Sequence, residues 1–125
     1  MKRAVEICPT TTLGRAKSAV LLVDVRRKDE VETVAFDVPN CINIPLDELA
    51  ERLPEIPKDK EVIMVCRSGG RSLKATYYLM NAGYEHVSNM RDGIIKWAAK
   101  GFPTKGDAQS LIATASCDCS QPDCC

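Results

Sequence analysis

The sequence has few aromatic residues, six in 125, one histidine (His86), no excess of either charge and no long apolar run. Seventeen Lys and Arg balance seventeen Asp and Glu. That balance argues against the broad basic footprint of a protein that wraps nucleic acid or lies on an anionic membrane, so neither partner is expected. The longest apolar run, Ala19 to Val23, stops after five residues at Asp24, far short of the roughly 20 that span a bilayer. Met1 to Cys8 has basic residues but no apolar segment behind them, so neither export nor a lipid-anchored Cys8 is expected, and the expected location is the cytoplasm. With 45% apolar and 27% charged residues the composition is that of one globular domain with a full core, open to small substrates or protein partners.

Cysteine is not scarce. There are seven, an odd number: Cys8, Cys41 and Cys66 lie in the body, and Cys117, Cys119, Cys124 and Cys125 crowd the last nine residues. A disulfide-stapled small protein spreads its cysteines through the fold and carries an export signal, so reactivity or metal binding outranks stapling.

Short β-branched runs alternate with helical patterns, which predicts an α/β domain. Val5 to Ile7 reads as a short strand, with a brief helix around Thr10 to Thr12. Ala19 to Val25 is apolar except for Asp24, the pattern of a strand buried on both faces of a parallel sheet. Lys28 to Phe36 puts Val31, Val34 and Ala35 on one helical face, and Cys41 to Ile44 gives a strand. Leu46, Leu49, Ala50 and Leu53 repeat at helical spacing between Pro45 and Pro54 and predict a helix. Val62 to Val65 reads as the core strand of the sheet. A helix follows over Ser72 to Ala82, with Ser72 as N-cap and Gly83 as stop. Glu85 to Asn89 reads as a last strand. Ile94, Trp97 and Ala98 form an apolar stripe closed by Gly101 and Pro103. The domain is expected to cover residues 1–104, with 105–125 a flexible, cysteine-rich tail.

Cys66-Arg67-Ser68-Gly69-Gly70-Arg71 is therefore a strand-to-helix loop. In an open parallel sheet, ligands bind beyond the carboxyl ends of the strands, where helix N-termini also point. A thiol there meets the positive helix end, the N–H groups of a Gly-Gly turn and two guanidinium groups, all of which favour the nucleophilic thiolate. Gly69 and Gly70 let successive N–H groups converge into an anion-binding nest. Arg67 and Arg71 supply forked donors for an oxyanion. From Cys66 through Gly83 there are three cations, Arg67, Arg71 and Lys74, and no acid, so the substrate is expected to be anionic.

These residues resemble a known family, the single-domain rhodanese sulfurtransferases, over about residues 4–104. The resemblance rests on Val23-Asp24-Val25-Arg26, Ile42-Asn43-Ile44-Pro45-Leu46, the loop Cys66 to Ser72, and Asp92-Gly93-Ile94-Ile95-Lys96-Trp97 with Gly101 and Pro103. It implies a rhodanese-like α/β fold, a central, mostly parallel five-stranded sheet with helices on both faces. It also implies that Cys66 takes a sulfane sulfur from thiosulfate or a similar anionic donor and yields it to cyanide or a thiol. Arg67, Ser68, Gly69, Gly70, Arg71 and Ser72 would bind the terminal sulfur and the donor, and no metal or organic cofactor is implied. Where that family usually reads Gly-His-Ile-Pro-Gly-Ala, this chain reads Phe36-Asp37-Val38-Pro39-Asn40-Cys41, and Asp92 stands where a glycine is common.

Two alternatives share the same thiol. One is a module that carries persulfide sulfur to a partner protein. The other is an arsenate reductase or phosphatase, although Cys66 and Arg71 have four residues between them and the Cys-based phosphatases carry one more. In the tail, Cys117, Cys119, Cys124 and Cys125 lack the spacing of a structural zinc site. They are accessory thiols that fit a tail with no defined role, a soft ion such as Cu(I), or sulfur relay from Cys66. Cys41 reads as a strand cysteine, with a resolving thiol as the alternative, and Cys8 as structural. Asp24 and Arg26 are expected to pair and brace the loop, Trp97 to pack in the core, and His86 to lie at a strand edge or the surface. Of Tyr77 and Tyr78, one is expected to pack and the other to face water.

Overall fold

A computed structural model describes residues 3–18 and 20–107. Along the chain come β1 (Val5–Ile7), α1 (Pro9–Ala16), β2 (Leu21–Asp24), α2 (Lys28–Thr33), β3 (Val34–Phe36) and β4 (Cys41–Asn43). Two 3₁₀ turns follow, Leu46–Glu48 and Leu53–Glu55, then β5 (Val62–Val65), α3 (Gly70–Asn81), β6 (Val87–Met90), α4 (Gly93–Ala99) and β7 (Thr104–Gly106).

Five strands form one sheet in the order β1-β6-β5-β2-β4, every pair parallel. The Val62 to Val65 run lies at its centre, fully buried, because a parallel sheet covered on both faces has no place for polar side chains in its middle strand. The period of two along each strand divides the core into two. Leu22, Ile63, Val65 and Met90 pack with Ala16 of α1 and Ile94 and Trp97 of α4. Val23, Val62, Met64, Cys66 and Val87 pack with Ala75 and Leu79 of α3 and with Leu49 and Ile56 of the turn region. Trp97 is fully buried, meets Phe36 and Phe102 edge-on at 5.1 and 5.3 Å, and donates its indole N–H to the Pro103 carbonyl at 2.8 Å.

Several segments depart from the expected pattern. The periodic stretch after Pro45 is two 3₁₀ turns rather than a helix. Pro54 has no N–H for the Ala50 carbonyl and disfavours helical backbone at Leu53, which leaves too short a stretch for a stable helix. Helical periodicity from Lys28 ends at Thr33, and Val34 and Ala35 belong to β3, which pairs antiparallel with β7. The expected end of the domain at residue 104 therefore falls inside β7, where Lys105 and Gly106 pair with Ala35 and Val34. Glu85 and His86 precede β6 and are exposed, while Tyr77 and Tyr78 are both exposed, at 41% and 43%. Residues beyond 107, including Cys117, Cys119, Cys124 and Cys125, lie outside the described residues. Among the described residues no helix is long and apolar enough to cross a membrane.

Candidate active site

Cys66 follows β5 directly, at the carboxyl edge of the sheet, and is fully buried. Arg67, Ser68 and Gly70 are exposed, so the loop itself is what an incoming reagent meets first. The turn closes on the sulfur: the Gly69 N–H donates to Cys66 Sγ at 3.0 Å. Gly69 makes that turn in the left-handed region, φ 101°, and a Cβ there would sit 3.0 Å from the Asp92 nitrogen. A side chain would strain both.

Helix α3 begins at Gly70 with Gly69 as its N-cap, three residues before the expected cap at Ser72. Ser72 is thus a first-turn residue and not the N-cap. Its buried hydroxyl lies 3.2 Å from the Gly69 carbonyl and hydrogen-bonds Asn89 Oδ1. Gly70, Arg71 and Ser72 carry the first-turn N–H groups that a helix leaves without internal acceptors, and they come directly after Gly69, whose N–H binds the sulfur. Only Gly69 of the glycine pair is conformationally required, for nothing lies within 4 Å of a Cβ built on Gly70.

The loop is held from behind by residues that sequence reasoning did not assign to the site. The Ile94 and Ile95 N–H groups donate to the Cys66 and Arg67 carbonyls at 2.9 and 3.2 Å. Gly93 permits this approach, because a Cβ there would lie 2.1 Å from the Arg67 oxygen and 2.6 Å from the Cys66 oxygen. Asp92, before it, is the one non-glycine described residue at positive φ, 67°. Asn89, fully buried on β6, donates to the Gly69 carbonyl at 3.3 Å and to Glu6 Oε1 at 3.0 Å. The Asp92-Gly93 pair was the available signal for the first clamp; nothing in the sequence marked Asn89.

The cationic rim differs more from expectation. Arg71 is bound by Glu30 of α2 through both terminal nitrogens, at 2.6 and 2.9 Å. Those bonds hold the Glu30 carboxyl down at about 2 against its partial burial, and the Arg27 N–H, 3.1 Å from Oε1, assists. The pairing raises the pKa of Arg71 in turn, with smaller contributions from nearby Cys66 and Asp24. The acid missing from the loop sequence is therefore supplied by another element. Asp24 and Arg26 pair as expected, 2.6 Å apart and buried, with Arg26 also 3.5 Å from the Glu30 carbonyl and over the Phe36 ring. This pair braces the end of β2 and the helix that holds Glu30. Arg67 and Lys74 remain as exposed cations near the loop.

Among the described residues the other two thiols, Cys41 and Cys8, are set apart from this chemistry. Burial and the Asp24 carboxylate push the Cys41 thiol up to about 12, which removes it as a ready resolving nucleophile. Cys8 is the N-cap residue of α1, with Sγ 3.3 Å from Thr11 Oγ1. His86 is exposed, and its carbonyl accepts the Val62 N–H at 2.8 Å.

Comparison with known proteins bears on all of this. The model of the rhodanese-like domain family matches residues 12–100. A sulfurtransferase of Allochromatium vinosum is 45% identical over 84 residues, 67% of this chain and 77% of that one. Among solved structures, the thiosulfate sulfurtransferase from Pseudomonas aeruginosa is 29% identical with a TM-score of 0.69, covering 82% of this chain and 20% of that one. An NAD-dependent persulfide reductase from A. fulgidus is 39% identical with a TM-score of 0.56, over 62% of this chain and 14% of that one.

Proposed function

Since the chain belongs to the rhodanese-like domain family and has a sulfurtransferase as a close relative, we propose that Cys66 transfers sulfane sulfur through a persulfide. The observation that carries the reading is the buried Cys66 Sγ, bound at 3.0 Å by the N–H of Gly69, the residue that caps the first turn of α3. Thiolate is the attacking form of a cysteine. Attack on the outer sulfur of thiosulfate forms a Cys66 S–S bond, breaks the donor S–S bond and expels sulfite with the bonding pair. The terminal sulfur then carries a negative charge, which the Gly69 N–H and the first-turn N–H groups of Gly70, Arg71 and Ser72 would stabilise. Cyanide or a thiolate takes that sulfur and returns the Cys66 thiolate. Atoms and electrons balance at both steps, and no outside oxidant is required.

Arg67, exposed at the loop, is the cation that meets an anionic donor first. The donor in this proposal is thiosulfate or another anionic sulfane compound, and the acceptor cyanide or a thiol. A sulfur-accepting protein is the second acceptor class. The match to 14% of a persulfide reductase supports it, since there a region like this chain is part of a much longer polypeptide.

Steady-state turnover with thiosulfate and cyanide tests the proposal. Parallel double-reciprocal lines, sulfite as first product and no turnover in Cys66→Ser are expected. Undiminished turnover in Cys66→Ser, or hydrolysis of a phosphate ester in place of sulfite release, would overturn it.

A further inference from the structure

Glu30 and Arg71 are 41 residues apart in sequence, yet they form a two-bond ion pair at the entrance to the Cys66 loop. The forked guanidinium that would otherwise meet an oxyanion is thus already holding one. Arg27 also reaches Glu30, at 3.7 Å, and pairs with Asp29 at 3.2 Å, so the four groups together carry no net charge and their field falls off faster than that of a free cation. A dianion approaching Arg71 also meets the Glu30 carboxylate. The neighbouring Asp24–Arg26 pair is equally self-contained and buried. Arg26 and Arg71 are thus each bound by an acid, while Arg67 of the loop and Lys74 of α3 are exposed. The main-chain cradle around Sγ is untouched by this neutralisation.

We propose that Glu30 is a specificity-determining residue: by occupying both terminal nitrogens of Arg71 it turns the Cys66 site away from oxyanion-headed donors such as thiosulfate and toward organic persulfides, RS–SH. The inference rests on the Cys66 persulfide reading and departs from it in the preferred donor, which it moves from thiosulfate to organic persulfides. An organic persulfide has no sulfonate to seat. The Cys66 thiolate attacks its outer sulfur, the RS–S bond breaks, RS⁻ leaves with the bonding pair, and the proton stays on the sulfur now joined to Cys66. The cradle that serves this step is main chain, and the Arg71 side chain takes no part in it.

The test is the ratio of kcat/KM for thiosulfate to kcat/KM for the persulfide of 2-mercaptoethanol, in wild type, Glu30→Gln and the double variant Glu30→Gln with Arg71→Ala. Freeing Arg71 should raise the ratio about tenfold in Glu30→Gln, roughly the worth of one charge-assisted contact to an oxyanion. The gain should vanish in the double variant, which a merely structural role for Glu30 would not produce. Glu30→Asp, whose carboxylate is drawn back by one methylene, should move the ratio in the same direction by a smaller factor and serves if the Gln variant does not fold. An unchanged or lowered ratio, or a gain that survives loss of Arg71, overturns the inference while leaving the Cys66 reading intact. Wild type that takes sulfur from neither donor overturns both.

Discussion

On its inner side the Cys66 loop is fixed by main chain: Ile94 and Ile95 donate to its carbonyls, and Gly93 lies so close that a single added methyl would collide with two of its oxygens. On its outer side the same loop is bordered by side chains, the Glu30–Arg71 pair, with the guanidinium partly in solvent. The first arrangement fixes where the sulfur sits. The second sets which charge a visitor meets and leaves the backbone alone. Position is thus built from contacts that tolerate no change, whereas selectivity is built from one that a single substitution can switch.

That contrast can be broken most severely at Gly93. Gly93→Ala places a Cβ 2.1 Å from the Arg67 oxygen at φ 61°, and by the cost of backbone strain and overpacking it should lose about 3–5 kcal/mol in denaturant titration. A loss under about 1 kcal/mol would mean that the inner clamp is pliable. Next comes Asn89→Ala, which leaves the Ser72 hydroxyl and Gly69 carbonyl short of a buried partner. It should cost about 2 kcal/mol and slow sulfur transfer, read from the same titration and from turnover.

The rim should respond to pH instead. The Glu30 pKa is depressed, from 4.5 to about 2, so its stabilisation is complete above about pH 5 and is lost as pH falls toward 2. With the Arg71 side chain 35% exposed, solvent screening holds that contribution to about 1 kcal/mol. The stability gap between wild type and Glu30→Gln should therefore close between pH 5 and 2; a gap that persists would place its origin elsewhere. The smallest effect is expected at Gly70. Gly70→Ala, with open space around the new methyl, should stay within about 0.5 kcal/mol of wild type and shows that the turn depends on Gly69 alone.

Much of the inner architecture was legible in the sequence because it is local. An apolar run, a cysteine and a glycine pair specify strand, turn and helix N-terminus within ten residues of Cys66. The boundary error at Ser72 arose because a serine resembles a cap, while the actual N-cap is a glycine in a left-handed turn. The periodic leucines after Pro45 misled because Pro54 removes a helical hydrogen bond that hydrophobic spacing does not register. Val34 and Ala35 fit a helical face as well as a strand, and only pairing with β7 decided between them. Glu30 and Asn89 could not be read at all. Each reaches the loop from a distant part of the chain, so only the folded topology brings it there.

Whether Cys66 carries the sulfur decides the rest. Intact-protein mass answers it directly, on wild type and Cys66→Ser freed of reductant and incubated with thiosulfate or with the persulfide of 2-mercaptoethanol. Wild type should gain one sulfur, roughly 32 Da, lost on addition of cyanide, and Cys66→Ser should gain none. No gain from either donor, or an equal gain in Cys66→Ser, would remove Cys66 as the sulfur carrier.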